Sequence, residues 1–64
     1  MIRVTKLNGK ELLLNAELIK FVEETPDTVI TLINNERVLV AEKLDKIIER
    51  VIDYGRRLRV FRPE

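Results

Sequence analysis

The sequence predicts an α+β fold, a small antiparallel sheet of about five strands followed by one amphipathic C-terminal helix. Through residue 40, short apolar and β-branched runs alternate with turn residues, which is typical of hairpins. From about Ala41, apolar residues recur at helical spacing instead. The chain has 64 residues, of which 45% are hydrophobic and 36% charged, a composition that indicates a single packed domain, 1–64.

The first two strands are predicted at residues 2–7 and 10–14, joined by a two-residue turn at Asn8-Gly9. Asn-Gly favours such a turn because both of its central residues adopt a positive φ. This loop length sets a register that pairs Val4 with Leu13. Because side chains alternate along a strand, one face is then expected to carry Ile2, Val4 and Leu13, and the other Leu7, Leu12 and Leu14.

The predicted face that carries Leu7, Leu12 and Leu14 has two interpretations. If the sheet curls around the helix, Leu12 and Leu14 belong to the core. Otherwise the face is an interface with a partner or with another copy of the chain, because exposed apolar patches usually mark such contacts. All three residues are therefore candidate interaction residues.

Three more strands are predicted after a single helical turn that Asn15 caps. They span residues 19–23, 28–33 and 36–40, and Thr25-Pro26-Asp27 and Asn34-Asn35 form the turns between them. Asn35 suits a tight turn because Asn tolerates the left-handed conformation. The last hairpin is expected to place Ile30, Leu32 and Leu39 on one face, and Val29, Ile33, Val38 and Val40 on the other.

The C-terminal helix is predicted from an apolar stripe at helical spacing, formed by Leu44, Ile47, Ile48, Val51, Ile52 and Leu58. Gly55 is either the end of this helix or a weak point inside a longer one. The segment after Gly55 fits a helix, a strand or a frayed tail.

An Arg-rich segment at about residues 56–64 holds four of the chain's 12 basic residues, namely Arg56, Arg57, Arg59 and Arg62. It indicates contact with a protein partner, contact with nucleic acid or anionic lipid, or a solvated tail that complements the helix dipole. The net charge of only +1 argues against nucleic acid as the main partner. A small nucleic-acid-binding regulator is the alternative function.

Catalytic and metal chemistry is not expected from this composition. The chain has no Cys and no His, which excludes disulfides and the usual soft-metal ligands. Glu23, Glu24 and Asp27 offer oxygen ligands to a hard cation, but we expect an ordinary solvated hairpin tip there. The two glycines are isolated, so there is no Gly-rich phosphate loop. We expect no enzyme activity, no cofactor and no metal.

The size of the chain favours self-association. A domain this short buries only about 60% of the surface that its unfolded chain exposes, and small domains often compensate by forming oligomers. A homo-oligomer is therefore expected. The N-terminal residues lack the apolar core of a signal peptide, and no apolar run approaches the length of a transmembrane segment, so we expect a cytoplasmic protein.

The order and spacing of the turns also carry a family resemblance, over roughly residues 1–54. The residues concerned are Ile2-x-Val4-Thr5-x-Leu7-Asn8-Gly9, Asn15-x-x-Leu18-Ile19, Glu23-x-x-Pro26-Asp27-Thr28-x-Ile30-x-Leu32 and Val40-x-Glu42. This pattern resembles the bacterial flagellar protein family FlbD, also called SwrD. Two positions depart from it, because Asn35 stands where the family commonly has Gly, and Lys43 stands where it often has Ser.

The resemblance implies a small cytoplasmic accessory protein of flagellar, swarming motility. Such a protein acts by binding, at the flagellar motor or at a factor that supports it, and not by catalysis. The family has no motif-defined active site, so the resemblance assigns no catalytic residue. The Arg-rich segment lies outside the resemblance.

Overall fold

The computed structural model describes residues 1–59 and has an α+β fold, as the sequence predicts. Five strands precede one long helix, with a single 3₁₀ turn (Ala16–Leu18) after the second strand. The elements are β1 (Ile2–Thr5), β2 (Glu11–Leu14), β3 (Ile19–Glu24), β4 (Thr28–Leu32), β5 (Arg37–Val40) and α1 (Leu44–Arg59).

The strands form two small antiparallel sheets, β1-β2 and β3-β4-β5. The sheets meet where Lys6 pairs with Val40, and there the Ala41 N–H donates to the Thr5 carbonyl at 2.7 Å. Helix α1 packs against β1 and β3. The predicted Asn15 cap is confirmed, because its Oδ1 accepts from the Glu17 N–H at 3.0 Å.

The loop of the first hairpin has three residues, Leu7-Asn8-Gly9, so the predicted two-residue turn is wrong. The Lys6 N–H donates to the Lys10 carbonyl at 2.8 Å, and the Gly9 N–H donates to the Lys6 carbonyl at 2.9 Å. Gly9 has a φ of 89°. This is a turn followed by a left-handed residue, the usual design of a three-residue hairpin loop. Val4 therefore pairs with Leu12, not with Leu13.

The β4–β5 loop repeats this design in Ile33-Asn34-Asn35. The Leu32 N–H donates to the Glu36 carbonyl at 2.8 Å, and the Asn35 N–H donates to the Leu32 carbonyl at 2.8 Å. Asn35 takes the left-handed position with a φ of 71°, which confirms the expectation for this residue. The extra loop residue again shifts the register by one, so that Val38 pairs with Ile30.

An Asn side chain explains why both loops have three residues. The Oδ1 atom of Asn8 accepts from the Lys10 N–H at 3.0 Å, and Oδ1 of Asn34 accepts from the Glu36 N–H at 3.0 Å. Each Asn thus satisfies a backbone donor two residues further on. In both hairpins the Asn is the second loop residue, and the residue before it belongs to the loop rather than to the strand.

The one-residue shifts exchange several side chains between faces, because strand side chains have a period of two. Leu12 and Leu14 share their face with Ile2 and Val4. Leu14 is only 7% exposed, whereas Leu7 lies in the loop and is 52% exposed. The predicted common face of Leu7, Leu12 and Leu14 is therefore wrong, and the core interpretation holds for Leu14. The predicted faces of the last hairpin are also wrong, since Ile30, Leu32, Val38 and Val40 lie together.

The hydrophobic core lies between the two sheets and α1. Its buried side chains come from β1, β2, β4, β5 and the helix, namely Ile2, Val4, Leu14, Ile30, Leu32, Val40 and Ile47. Leu12, Val22, Val38, Val51 and Tyr54 are partly buried against this cluster.

Helix α1 runs through Gly55, so this glycine is inside a longer helix rather than at its end. Residues 56–59 are helical, which resolves part of the segment that the sequence left open. Residues 60–64, and with them Arg62, lie outside the described residues. Of the predicted apolar stripe, Ile47 is buried in the core, whereas Ile48 and Ile52 are exposed.

Candidate interaction surfaces

A groove of about 510 Å³ lies between β2 and the β4–β5 hairpin. Aliphatic side chains from three strands form most of its lining, and charged residues complete it. The lining residues are Leu12, Leu14, Leu32, Val38, Leu39, Lys6, Glu36 and Arg37. The groove therefore exposes one margin of the hydrophobic core beside a charged rim.

Strand β5 is at the edge of its sheet, and the side of its backbone that does not pair with β4 faces the groove. In an antiparallel ladder every second residue bonds to the neighbouring strand, and the pairing of Leu32 with Glu36 sets this alternation for β5. Val38 and Val40 then bond to β4, while Arg37 and Leu39 direct their N–H and C=O groups away from it. Ala41, two residues after Leu39, follows the same alternation, and its N–H donates away from β4 to the Thr5 carbonyl. Among residues 1–59, the first hairpin pairs with this edge at Lys6 and Val40, beside the Thr5–Ala41 hydrogen bond, and β1 and β5 form no longer ladder.

Of the predicted apolar candidates, Leu12 and Leu14 line the groove and Leu7 does not. Leu7 lies on another surface, near Pro26, Ala41 and Lys43. The structure therefore brings two of the three leucines together. Leu14 contributes through a side chain that is almost wholly buried, so Leu12 is the more accessible of the pair.

Of the predicted arginine candidates, Arg56, Arg57 and Arg59 lie in the last turns of α1. Arg56 and Arg57 are exposed, and an Nη of Arg57 lies 3.2 Å from a carboxylate oxygen of Asp53. Arg59 is the last described helical residue. Neither Arg56 nor Arg57 lines the groove, so the structure separates these two arginines from the leucine candidates. The nucleic-acid hypothesis, which depends on this segment, stays a prediction.

A polar cluster that the sequence did not reveal joins β1 to α1 through Glu42. Oε1 of Glu42 accepts from the Thr5 N–H at 2.9 Å, and Oε2 accepts from Arg50 Nη1 at 2.8 Å. Arg50 Nη1 also donates to the Arg3 carbonyl. Glu42 does belong to the Val40-x-Glu42 motif, which was the one signal that its position matters.

Two opposing effects set the pKa of Glu42. Burial of the carboxyl group disfavours its charge and raises the pKa, but the hydrogen bonds from the Thr5 N–H and the Arg50 guanidinium favour the charge. The hydrogen bonds prevail, so the pKa of Glu42 lies below the ordinary value of a glutamate. The carboxylate is therefore ionised at neutral pH and holds β1 against the helix.

Glu24 supplies the helix cap that Lys43 does not. Its Oε1 accepts from the Leu44 N–H at 3.1 Å, at the first residue of α1, and its Oε2 lies 3.8 Å from Lys43 Nζ. A negative charge at a helix N-terminus satisfies a free N–H and interacts favourably with the helix dipole. The cap comes from the β3–β4 hairpin, 20 residues earlier in the chain, so local sequence did not predict it.

The acidic residues Glu23 and Glu24 near the tip of the β3–β4 hairpin contact other parts of the fold. Glu23 lies 4.0 Å from Arg37, and Glu24 caps α1. No three acidic side chains among residues 1–59 come together in an arrangement that fits a metal ion. No helix in the same residues is long and apolar enough to cross a membrane.

The described residues define a small α+β domain of two hairpin-based sheets and one helix, with an open groove at a strand edge. A sequence model of the FlbD family, described as flagellar and swarming motility proteins, matches residues 1–59. The chain belongs to this family, and its role is in flagellar and swarming motility. No curated protein and no solved structure gives a significant match.

Proposed function

We propose that this protein supports flagellar motility by binding another protein, without catalysis, in the cytoplasm at the inner face of the flagellar motor. The groove beside β5 is the observation that carries the proposal. It combines aliphatic side chains with the outward-facing backbone of an edge strand. Proteins use this combination to bind a partner's extended segment as an added strand.

The chemistry of the groove suggests the kind of segment that it binds. Backbone hydrogen bonds to Arg37 and Leu39 supply affinity for any extended chain. Specificity comes from the side chains of the incoming strand, because alternate residues point toward Leu12 and Val38. The proposed ligand is therefore an extended segment of a motor protein with aliphatic residues at alternate positions.

Substitution of Arg37 separates the backbone contribution from the side-chain contribution. Arg37→Pro removes the outward N–H, and proline is tolerated on edge strands. Arg37→Ala keeps that N–H and removes the charge. In a swarming bacterium that lacks its own family member, we expect Arg37→Ala to restore swarming and Arg37→Pro to fail, while circular dichroism shows both proteins folded.

A photo-crosslinking amino acid at position 39 identifies the partner directly. We expect a covalent adduct with one flagellar motor protein, formed through the segment that pairs with β5. The matched control is position 13, because Leu13 is also exposed but lies on the opposite face of β2. Equal adducts from both positions, or full swarming with the folded Arg37→Pro protein, contradict the proposal.

A further inference from the structure

Helix α1 has a second apolar face that no described part of the chain covers. Ile48 and Ile52 are 46% and 50% exposed and lie one turn apart. Gly55 continues the same face, and a Cβ atom at Gly55 meets nothing within 4 Å. Positions 45, 48, 52 and 55 alternate in steps of three and four, the spacing of residues along a helix–helix seam.

Opposite charges lie at the two ends of this face. Asp45 is one turn before Ile48, and Arg56 is one turn after Ile52. The acidic neighbours along the same side already have basic partners, because Glu49 lies 3.7 Å from Lys46 and Asp53 lies 3.2 Å from Arg57. Among residues 1–57, whose side chains the structure describes, neither Asp45 nor Arg56 forms an ion pair.

This pattern is complementary to itself when a second helix runs antiparallel. A two-fold axis between Ile48 and Ile52 places Ile48 of one copy opposite Ile52 of the other. The same axis places Asp45 opposite Gly55 and within one residue of Arg56 at both ends. A parallel pair would instead bring Asp45 against Asp45 and Arg56 against Arg56, and like charges so placed repel.

We propose that the protein forms a two-fold dimer in which α1 packs antiparallel against α1 of a second copy, through Ile48, Ile52 and Gly55 and with reciprocal Asp45–Arg56 ion pairs. An interface of this kind is isologous, because both copies contribute the same patch. Two isoleucines per copy make a small apolar contact, so the dimer is weak and depends on protein concentration.

The dimer does not compete with the groove for the same residues. No residue of α1 from 44 to 57, the part whose side chains the structure describes, lines the groove beside β5. A second copy on α1 therefore leaves the β5 edge available, and the dimer doubles the number of grooves in one particle. Either proposal is able to fail while the other holds, since one is tested at α1 and the other at β5.

Sedimentation equilibrium from about 1 µM to about 1 mM protein, a range that covers weak dimers, measures the association directly. We expect Asp45→Arg and Arg56→Asp each to raise Kd about tenfold, because each places like charges together at both ends of the interface. The double variant restores opposite charges across the interface, so its Kd should return toward that of the wild type.

The double variant also excludes the explanation that the single variants dimerise less because their monomers are less stable. Arg at the start of α1 and Asp near its end both oppose the helix dipole, so the double variant is less stable as a monomer than either single variant. Recovered dimerisation therefore has to come from the interface. Circular dichroism at each concentration shows that all three variants are folded.

Ile52→Ser tests the apolar part, with Leu13→Ser as a control at a similarly exposed residue on β2. We expect Ile52→Ser to be monomeric and Leu13→Ser to dimerise like the wild type. A wild-type protein that is monomeric throughout overturns the proposal. A double charge variant that associates no better than the single variants, or a Leu13→Ser protein that loses the dimer, also overturns it.

Discussion

The Nη1 atom of Arg50 lies 2.8 Å from Oε2 of Glu42, and this ion pair fastens the middle of α1 to the first strand. Arg50 also donates to the Arg3 carbonyl, while Glu42 accepts from the Thr5 N–H. The side chain of Glu42 is only 12% exposed, so water screens the pair weakly. One carboxylate thus satisfies a donor from β1 and one from α1.

Glu42→Gln should destabilise the fold by about 1–2 kcal/mol. Gln keeps an acceptor for the Thr5 N–H but leaves the Arg50 guanidinium without its counter-charge. Denaturant unfolding at pH 7 measures the loss. Glu49→Gln is the matched control, because Glu49 is exposed on α1 and its ion pair with Lys46 contributes little. Equal losses for the two variants contradict the structural role of Glu42.

The lowered pKa of Glu42 predicts a loss of stability in acid. The folded protein binds a proton at this carboxyl more weakly than the unfolded chain does, so protonation favours unfolding. The stabilising contribution of the ionised Glu42 carboxylate is fully present well above pH 4.5, the ordinary pKa of a glutamate, and it is lost as the pH falls through the lower folded value. Wild-type stability should therefore fall more steeply below that pH than the stability of Glu42→Gln. Parallel curves exclude Glu42 as the group responsible.

Leu14 and Leu7 should respond differently to truncation, although the sequence alone placed them on one face. Leu14→Ala removes a buried core side chain and should cost about 2–4 kcal/mol. Leu7→Ala lies in an exposed loop and should change stability by less than about 0.5 kcal/mol. Urea unfolding of both variants checks this difference. Comparable losses would mean that Leu7 is covered in solution.

The order of elements could be read from the sequence because turn residues and the change of period are local signals. Asn15, Asn35 and the onset of helical spacing near Ala41 each fixed an element to within a few residues. The registers could not be read, because Asn-Gly occurs in loops of two and of three residues. The choice depends on which backbone donor the Asn side chain accepts from, as Asn8 shows with Lys10.

The candidate surfaces were less predictable than the fold, because each depends on residues distant in sequence. The groove needs β2 beside the β4–β5 hairpin. An error of one residue in each predicted register concealed that Leu12 and Val38 both line it. The Glu24 cap and the Glu42–Arg50 pair join separate elements. The outward face of α1 could be predicted once the buried side of the helix was known. Ile47 is buried on that side, whereas its neighbour Ile48 is exposed on the outward face.

Gly9 and Asn35, the two loop residues with positive φ, should show the same order of stability when substituted, with Gly and Asn favoured over Ala. A Cβ atom at Gly9 meets nothing within 4 Å, so the cost of a side chain there is conformational and not steric. Gly9→Ala should therefore lose about 1–2 kcal/mol, whereas Gly9→Asn should lose less, because Asn adopts positive φ more readily. Asn35 has a φ of 71°, so Asn35→Ala should be destabilised similarly and Asn35→Gly should be at least as stable as the wild type.

Thermal unfolding of these four variants checks the expected order. Asn34→Ala is a useful companion, because Asn34 supplies the side-chain acceptor for the Glu36 N–H rather than the left-handed residue. Asn34→Ala should be destabilised, and Asn34→Gly should not restore stability, since Gly also lacks the side-chain acceptor. If Asn35→Gly is less stable than Asn35→Ala, Asn35 does not occupy the left-handed region in solution, and the register of β4 and β5 would have to be reassigned.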